Sequence, residues 1–75
     1  MRRVGEVVRI AQGLAIVRSS DDAASELGSE LVDERLDPVG RVVDVFGPVD
    51  RPYLAVSPSG DVTLAALLGE KLYAR

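Results

Sequence analysis

The strongest constraint in this chain is the run from Val39 to Val56, which reads Val-Gly-Arg-Val-Val-Asp-Val-Phe-Gly-Pro-Val-Asp-Arg-Pro-Tyr-Leu-Ala-Val. β-Branched residues crowd Val39 to Phe46 and predict a strand, Gly47-Pro48 predicts a corner, and Pro52-Tyr53 opens a second strand. Pro48 and Pro52 fix φ at both ends of a short loop and remove two backbone donors, so Val49, Asp50 and Arg51 are held out between rigid posts. A stiff loop loses little entropy when a partner docks on it.

The strand leading into the loop has two mixed faces. Val39, Arg41, Val43 and Val45 alternate with Gly40, Val42, Asp44 and Phe46, so neither side is cleanly polar. A strand between core and water alternates more sharply. The pattern predicts either a bend near Gly40, as barrel strands make, or a covered outer face. Phe46, the single phenylalanine, ends this strand and can serve either as a barrel cap or as a partner contact.

The remaining segments read as short strands set apart by turn signals. A first strand is predicted from Val4 to Ala11, with Val4, Val8 and Ile10 on one face, Val7 on the other, and a bend or close approach at Gly5. Gln12-Gly13 predicts a tight hairpin turn and Leu14 to Arg18 the return strand. Residues 19–26 are polar and read as a connector, with one helical turn capped by Ser20 or Asp21 as an option. Leu27-Gly28-Ser29 turns into a strand from Glu30 to Glu34, and Tyr53 to Ser57 forms another. Asp61 to Gly69 carries an Asp cap signal and a terminal glycine, predicting a short helical turn that buries Leu64, Leu67 and Leu68 and lids the barrel. Glu70 to Ala74 closes the chain with Leu72 inward and Tyr73 outward. Six such strands over residues 1–75 are most economically one all-β domain, a small closed or nearly closed six-stranded β-barrel with a helical turn before the last strand.

A chain of 75 residues buries only about 60 to 65% of its unfolded surface, which leaves little core for an internal active-site cavity. It has no cysteine and no histidine, so disulfides, thiolate metal sites and the commonest general base are all missing. Asp33, Glu34 and Asp37 lack EF-hand spacing and read as a solubilising corner rather than a metal site. No glycine-rich phosphate loop, nucleophile elbow or triad is present. The reading is a non-enzyme with no catalytic, cofactor-binding or metal residues and no small-molecule substrate. No apolar run reaches the roughly 20 residues of a membrane span, and the N-terminus lacks a signal-type hydrophobic region; no membrane partner and a cytoplasmic location are expected. The formal net charge of −3 opposes unaided phosphate binding and favours a protein-facing role. Eight of the nine basic residues are arginine, which fits a salt-rich or GC-biased source.

Phe46-Gly47-Pro48-Val49 followed by Pro52-Tyr53, within VGRVVDVFGPVDRPYLAV, resembles the small glycine/arginine-rich-domain (GAR) subunit of H/ACA pseudouridylation ribonucleoproteins in its tail-less archaeal form. The likeness extends through RRVGEVVRIAQGLAIVRS at the start and GEKLYA at the end. It implies a six-stranded barrel that docks on the catalytic subunit of the H/ACA pseudouridine synthase. The guide RNA is met only indirectly, and the barrel assists substrate RNA loading and release by influencing a mobile substrate-gripping loop of the synthase. Carried onto this chain, the contact centres on Phe46, Gly47, Pro48, Val49, Pro52 and Tyr53, with Gly40 and Val42 as weaker members. Two rivals remain at this point. LVDERLDPVGRVVDV also resembles a PRC-type barrel, an adaptor in RNA processing. An OB-like barrel binding single-stranded RNA would instead gather Arg2, Arg3, Arg9, Arg18 and Tyr73 on one face.

Overall fold

Gln12 and Gly13, with φ of 53° and 77°, form the two-residue turn joining β1 (Arg2–Ala11) to β2 (Leu14–Ser19). Positive φ at both central positions matches the twist of the flanking strands. In the computed structural model, which describes residues 2–19, 26–48 and 50–74, β3 (Glu30–Val32), β4 (Pro38–Phe46), β5 (Tyr53–Pro58) and β6 (Lys71–Ala74) follow. A short helix, α1 (Leu64–Leu67), precedes the last strand. Neighbouring strands are antiparallel, and the order β1-β2-β5-β4-β3-β6 closes into a barrel. Closure leaves no sheet edge to template pairing with another chain.

Both long strands reach the core in steps of three. Val4, Val7 and Ile10 from β1, and Val39, Val42 and Val45 from β4, all pack in the central cluster. A regular strand turns only alternate residues inward. The steps of three are reconciled by bulges: the pairing of β1 skips one residue between Arg3 and Gly5 and another between Val7 and Arg9. β4 skips one between Val42 and Asp44, and a second against β3 at Val39. Each extra residue reverses the inward phase and bends the strand around the barrel. The face assignment expected for β1 is corrected here: Val7 is in the core beside Val4, and Val8 is only half-buried. The mixed faces of β4 have the same cause.

The two halves of the chain repeat one pairing scheme. Gly5 faces Ser19, Val7 faces Val17 and Ala11 faces Leu14; in the same register Gly40 faces Pro58, Val42 faces Val56 and Phe46 faces Tyr53. Val7 exchanges backbone hydrogen bonds with Gly69 and Glu70, as Val42 does with Gly28 and Ser29, at 2.8 to 3.0 Å. Exchanging the two three-stranded units leaves the cyclic strand order unchanged. In sequence the repeat survives as Val-Gly-x-Val-Val at residues 4–8 and 39–43, and as Leu-Gly-x-x-Leu at residues 27–31 and 68–72. The two glycines at the start of each motif have one job. A Cβ on Gly5 would lie 2.0 Å from the Arg18 carbonyl oxygen, and one on Gly40 would lie 2.2 Å from that of Ser57.

Three further expectations are revised. β3 ends at Val32 rather than Glu34, because the Asp33 carboxylate accepts hydrogen bonds from the backbone N–H groups of Arg35 and Asp37 at 2.8 and 3.0 Å. This Asx-type turn competes with strand extension. α1 begins after Thr63, not Asp61, and makes no side-chain cap. It buries Leu67 and packs Leu64 against the core, but Leu68 is exposed. Four residues make barely one turn, too few to bury three leucines on one stripe. Ser19 belongs to β2, while the helical turn expected at Ser20 or Asp21 lies outside the described residues.

Glu26 is the buried charged residue of the described chain, 3% exposed, and Arg2 pairs with it. The equivalent position in the second half is Leu67, which is also buried. A buried carboxylate whose partner, like Arg2, stays mostly exposed can often be replaced by an apolar residue with little loss. Glu26→Leu is therefore expected to change stability by no more than about 1 kcal/mol, whereas Arg2→Ala, which strands the carboxylate, should cost about 1 kcal/mol or more. Urea unfolding of the two variants beside the parent measures both.

Candidate functional site

The corner between β4 and β5 is built by the last pair of their ladder, Phe46 opposite Tyr53. Their rings stack with centroids 5.7 Å apart and planes 24° from parallel. Such a pair contributes roughly 0.5 to 1.5 kcal/mol beyond its burial. Phe46 nevertheless stays 40% exposed, with Gly47 and Pro48 exposed next to it and Tyr53 half-buried. The loop is held at both ends. Arg51 N–H donates to the Pro48 carbonyl at 3.1 Å, and Ser19 N–H donates to the Pro52 carbonyl at 3.0 Å, which ties the loop to β2.

Gly47 does more than begin a corner. Its φ is +94°, and a Cβ there would lie 2.8 Å from Cδ2 of Tyr53. The aromatic stack closes over a position that only glycine can fill. Gly47→Ala is expected to cost about 1 kcal/mol of stability and to unseat the Tyr53 ring; a changed tyrosine near-UV circular dichroism band with unchanged far-UV signal is the readout.

The residues singled out from the sequence separate into a surface group and a supporting group. Phe46, Gly47, Pro48 and Tyr53 come together at the corner, and Val49 lies outside the described residues. Pro52 is buried and braces the loop from below. Val42 is 1% exposed in the core and out of a partner's reach, while Gly40 is buried against β5 at the floor of a surface furrow. Among the described residues no group of three or more acidic side chains gathers as a metal site would require, and no helix is long and apolar enough to cross a membrane. An exposed, stiffened apolar corner suits binding rather than chemistry.

Sequence reading passed over one neighbour of the corner. Arg18, Ser19, Asp50, Arg51 and Tyr53 line a cleft of about 210 Å³, and Arg3, Glu6, Val8, Arg18 and Ser19 line a second of about 410 Å³ around Gly5. Arg51 is marked in the sequence only as a loop residue held between Pro48 and Pro52; the fold of the loop onto β2 sets it beside Arg18. Of the arginines named for an RNA-binding face, Arg3 and Arg18 share this surface, Arg2 is engaged by Glu26, and Arg9 lines neither cleft.

Comparison of the sequence with known proteins places the chain in a family. A protein of Methanothermobacter thermautotrophicus, described as an uncharacterized protein, is 30% identical over 77 residues, spanning 97% of this chain and 82% of the relative. The family model described as the Gar1/Naf1 RNA binding region matches residues 1–75. With that match over residues 1–75, the chain belongs to the Gar1/Naf1 family of RNA-binding regions.

Proposed function

We propose that the protein is a non-catalytic subunit of an H/ACA RNA-guided pseudouridylation complex. It docks on the catalytic domain of the pseudouridine synthase through Phe46, Gly47, Pro48, Val49 and Tyr53, and acts in the cytoplasm on substrate RNA loading and release during ribosomal RNA modification. The observation that carries this reading is a large aromatic ring, 40% exposed yet fixed by stacking and by a proline-braced loop. Fixed aromatic side chains are the usual anchors of protein interfaces, because little freedom is lost when a partner covers them. Contact with the corner and its surroundings would bury about 600 to 900 Å² per partner, the size of a stable interface.

Pro52 and Val42 enter this function from beneath, holding the loop and the strand that present the corner. Family membership supports an RNA-associated setting. Size-exclusion chromatography of the purified protein with the catalytic subunit of an H/ACA synthase, with and without guide RNA, tests the docking. Co-elution in both samples is expected; elution of the barrel alone in both rejects it.

A further inference from the structure

The internal repeat gives the barrel two equivalent furrows, one over Gly5 and one over Gly40, and their chemistry has diverged. The Gly40 furrow holds one arginine, Arg41, which donates to Glu30 Oε1 at 3.2 Å. Its counterpart of Arg18 is Ser57, and its outer wall carries the exposed apolar Val43. The Gly5 furrow holds Arg3 and Arg18 and runs on, through the shared Arg18 and Ser19, to Arg51 beside Tyr53. None of these three arginines makes an ion pair among the described residues. The carboxylates lining the same surface are Glu6 and Asp50, so three cations against two anions leave it at +1 on a chain of net −3.

A concave track of exposed guanidinium groups supplies the charge that holds the backbone of single-stranded nucleic acid. We infer that the furrow over Gly5 holds a short stretch of single-stranded RNA backbone across Arg3, Arg18 and Arg51, and that the equivalent furrow over Gly40 does not. The choice of RNA rests on the family membership and not on the docking proposal. With one net positive charge the grip is weak and quickly released, which suits RNA that must pass through. The furrow shares Tyr53 with the corner, so a partner seated on the corner has the RNA track at its margin.

Fluorescence anisotropy of the full chain with a labelled oligouridine of about ten nucleotides, a length within the span of such sites, tests the inference. Binding is expected at about 50 mM salt, with a log–log salt slope near −2 from three contacts at about −0.7 each. Replacing Arg3, Arg18 and Arg51 together with Gln should weaken binding at least about tenfold and flatten the slope toward zero. Arg41→Gln, in the equivalent furrow, should leave binding unchanged. All four side chains are exposed, and far-UV circular dichroism verifies that the variants fold. Wild-type protein that does not bind at low salt overturns the inference, as does a triple variant that binds like wild type or an Arg41→Gln loss of equal size. Chromatography with the synthase subunit, run on the same proteins, keeps the two readings apart. A triple variant that still co-elutes but no longer binds RNA supports an RNA track distinct from the docking corner. Loss of co-elution with RNA binding intact makes the furrow a protein contact and overturns the inference.

Discussion

Gly5→Ala and Gly40→Ala are each expected to lower stability by about 3 kcal/mol or more, the upper range for overpacking a closed site. A methyl group at either position meets a carbonyl oxygen of the neighbouring strand at 2.0 or 2.2 Å, and that oxygen is backbone, which cannot swing aside as a flexible side chain could. Relief requires the two strands to part, and both lie in the closed ring of the barrel. A domain of this length has roughly 4 to 11 kcal/mol to lose in total. The variants should show a lower urea midpoint and partial unfolding on modest warming. Because the two glycines are counterparts, their effects should agree within about 1 kcal/mol. Gly60→Ala is the control: nothing lies within 4 Å of its Cβ position, and its effect should stay within about 0.5 kcal/mol. Equal loss at Gly60 would mean that strand separation is not the cause.

Phe46→Ala combined with Tyr53→Ala should weaken binding to the synthase catalytic subunit by about 2 kcal/mol or more, some thirtyfold, which is the size expected of an anchor pair. Phe46 stands partly in solvent and Tyr53 is half-buried at the barrel rim, so the fold keeps its core valines and leucines. The pair should be less than additive, since each ring supports the other in the stack. Calorimetry against the catalytic subunit gives the affinity, and thermal unfolding of the same variants gives the control. A double variant that unfolds would place the rings in the structural core; one that folds and binds undiminished would move the interface elsewhere on the barrel.

The strand inventory was legible because this chain marks its turns with chemistry: Gln12-Gly13, Gly47-Pro48 and Pro58-Ser59-Gly60 each stop a strand-forming run, and Gly28 stands just before one. The inward faces were not. Period-two reading fails where a bulge inserts a residue, and Val8 and Val43 are indistinguishable in type from Val7 and Val42, so local sequence offers no sign of which valine is extra. Leu68 was misplaced because helix periodicity was applied to a helix of four residues. At the corner, Phe46, Gly47, Pro48 and Tyr53 could be named from the sequence, whereas the seating of the Tyr53 ring over Gly47 needed coordinates. The furrow was less accessible still. Arg3, Arg18 and Arg51 are separated by fifteen and thirty-three residues, and only the barrel's closure sets them along one surface.

Each three-stranded unit of this barrel is shorter than the roughly 40 residues below which chains seldom hold a fold unaided. Met as separate molecules, two such units would depend on concentration for their pairing. The Asx-bonded connector at Asp33–Asp37 tethers them, turning a bimolecular encounter into an intramolecular one with a high effective concentration. That tether is how a chain without disulfides can sustain a ring of strands and still leave one of its two tips free to carry the longer loop between β4 and β5.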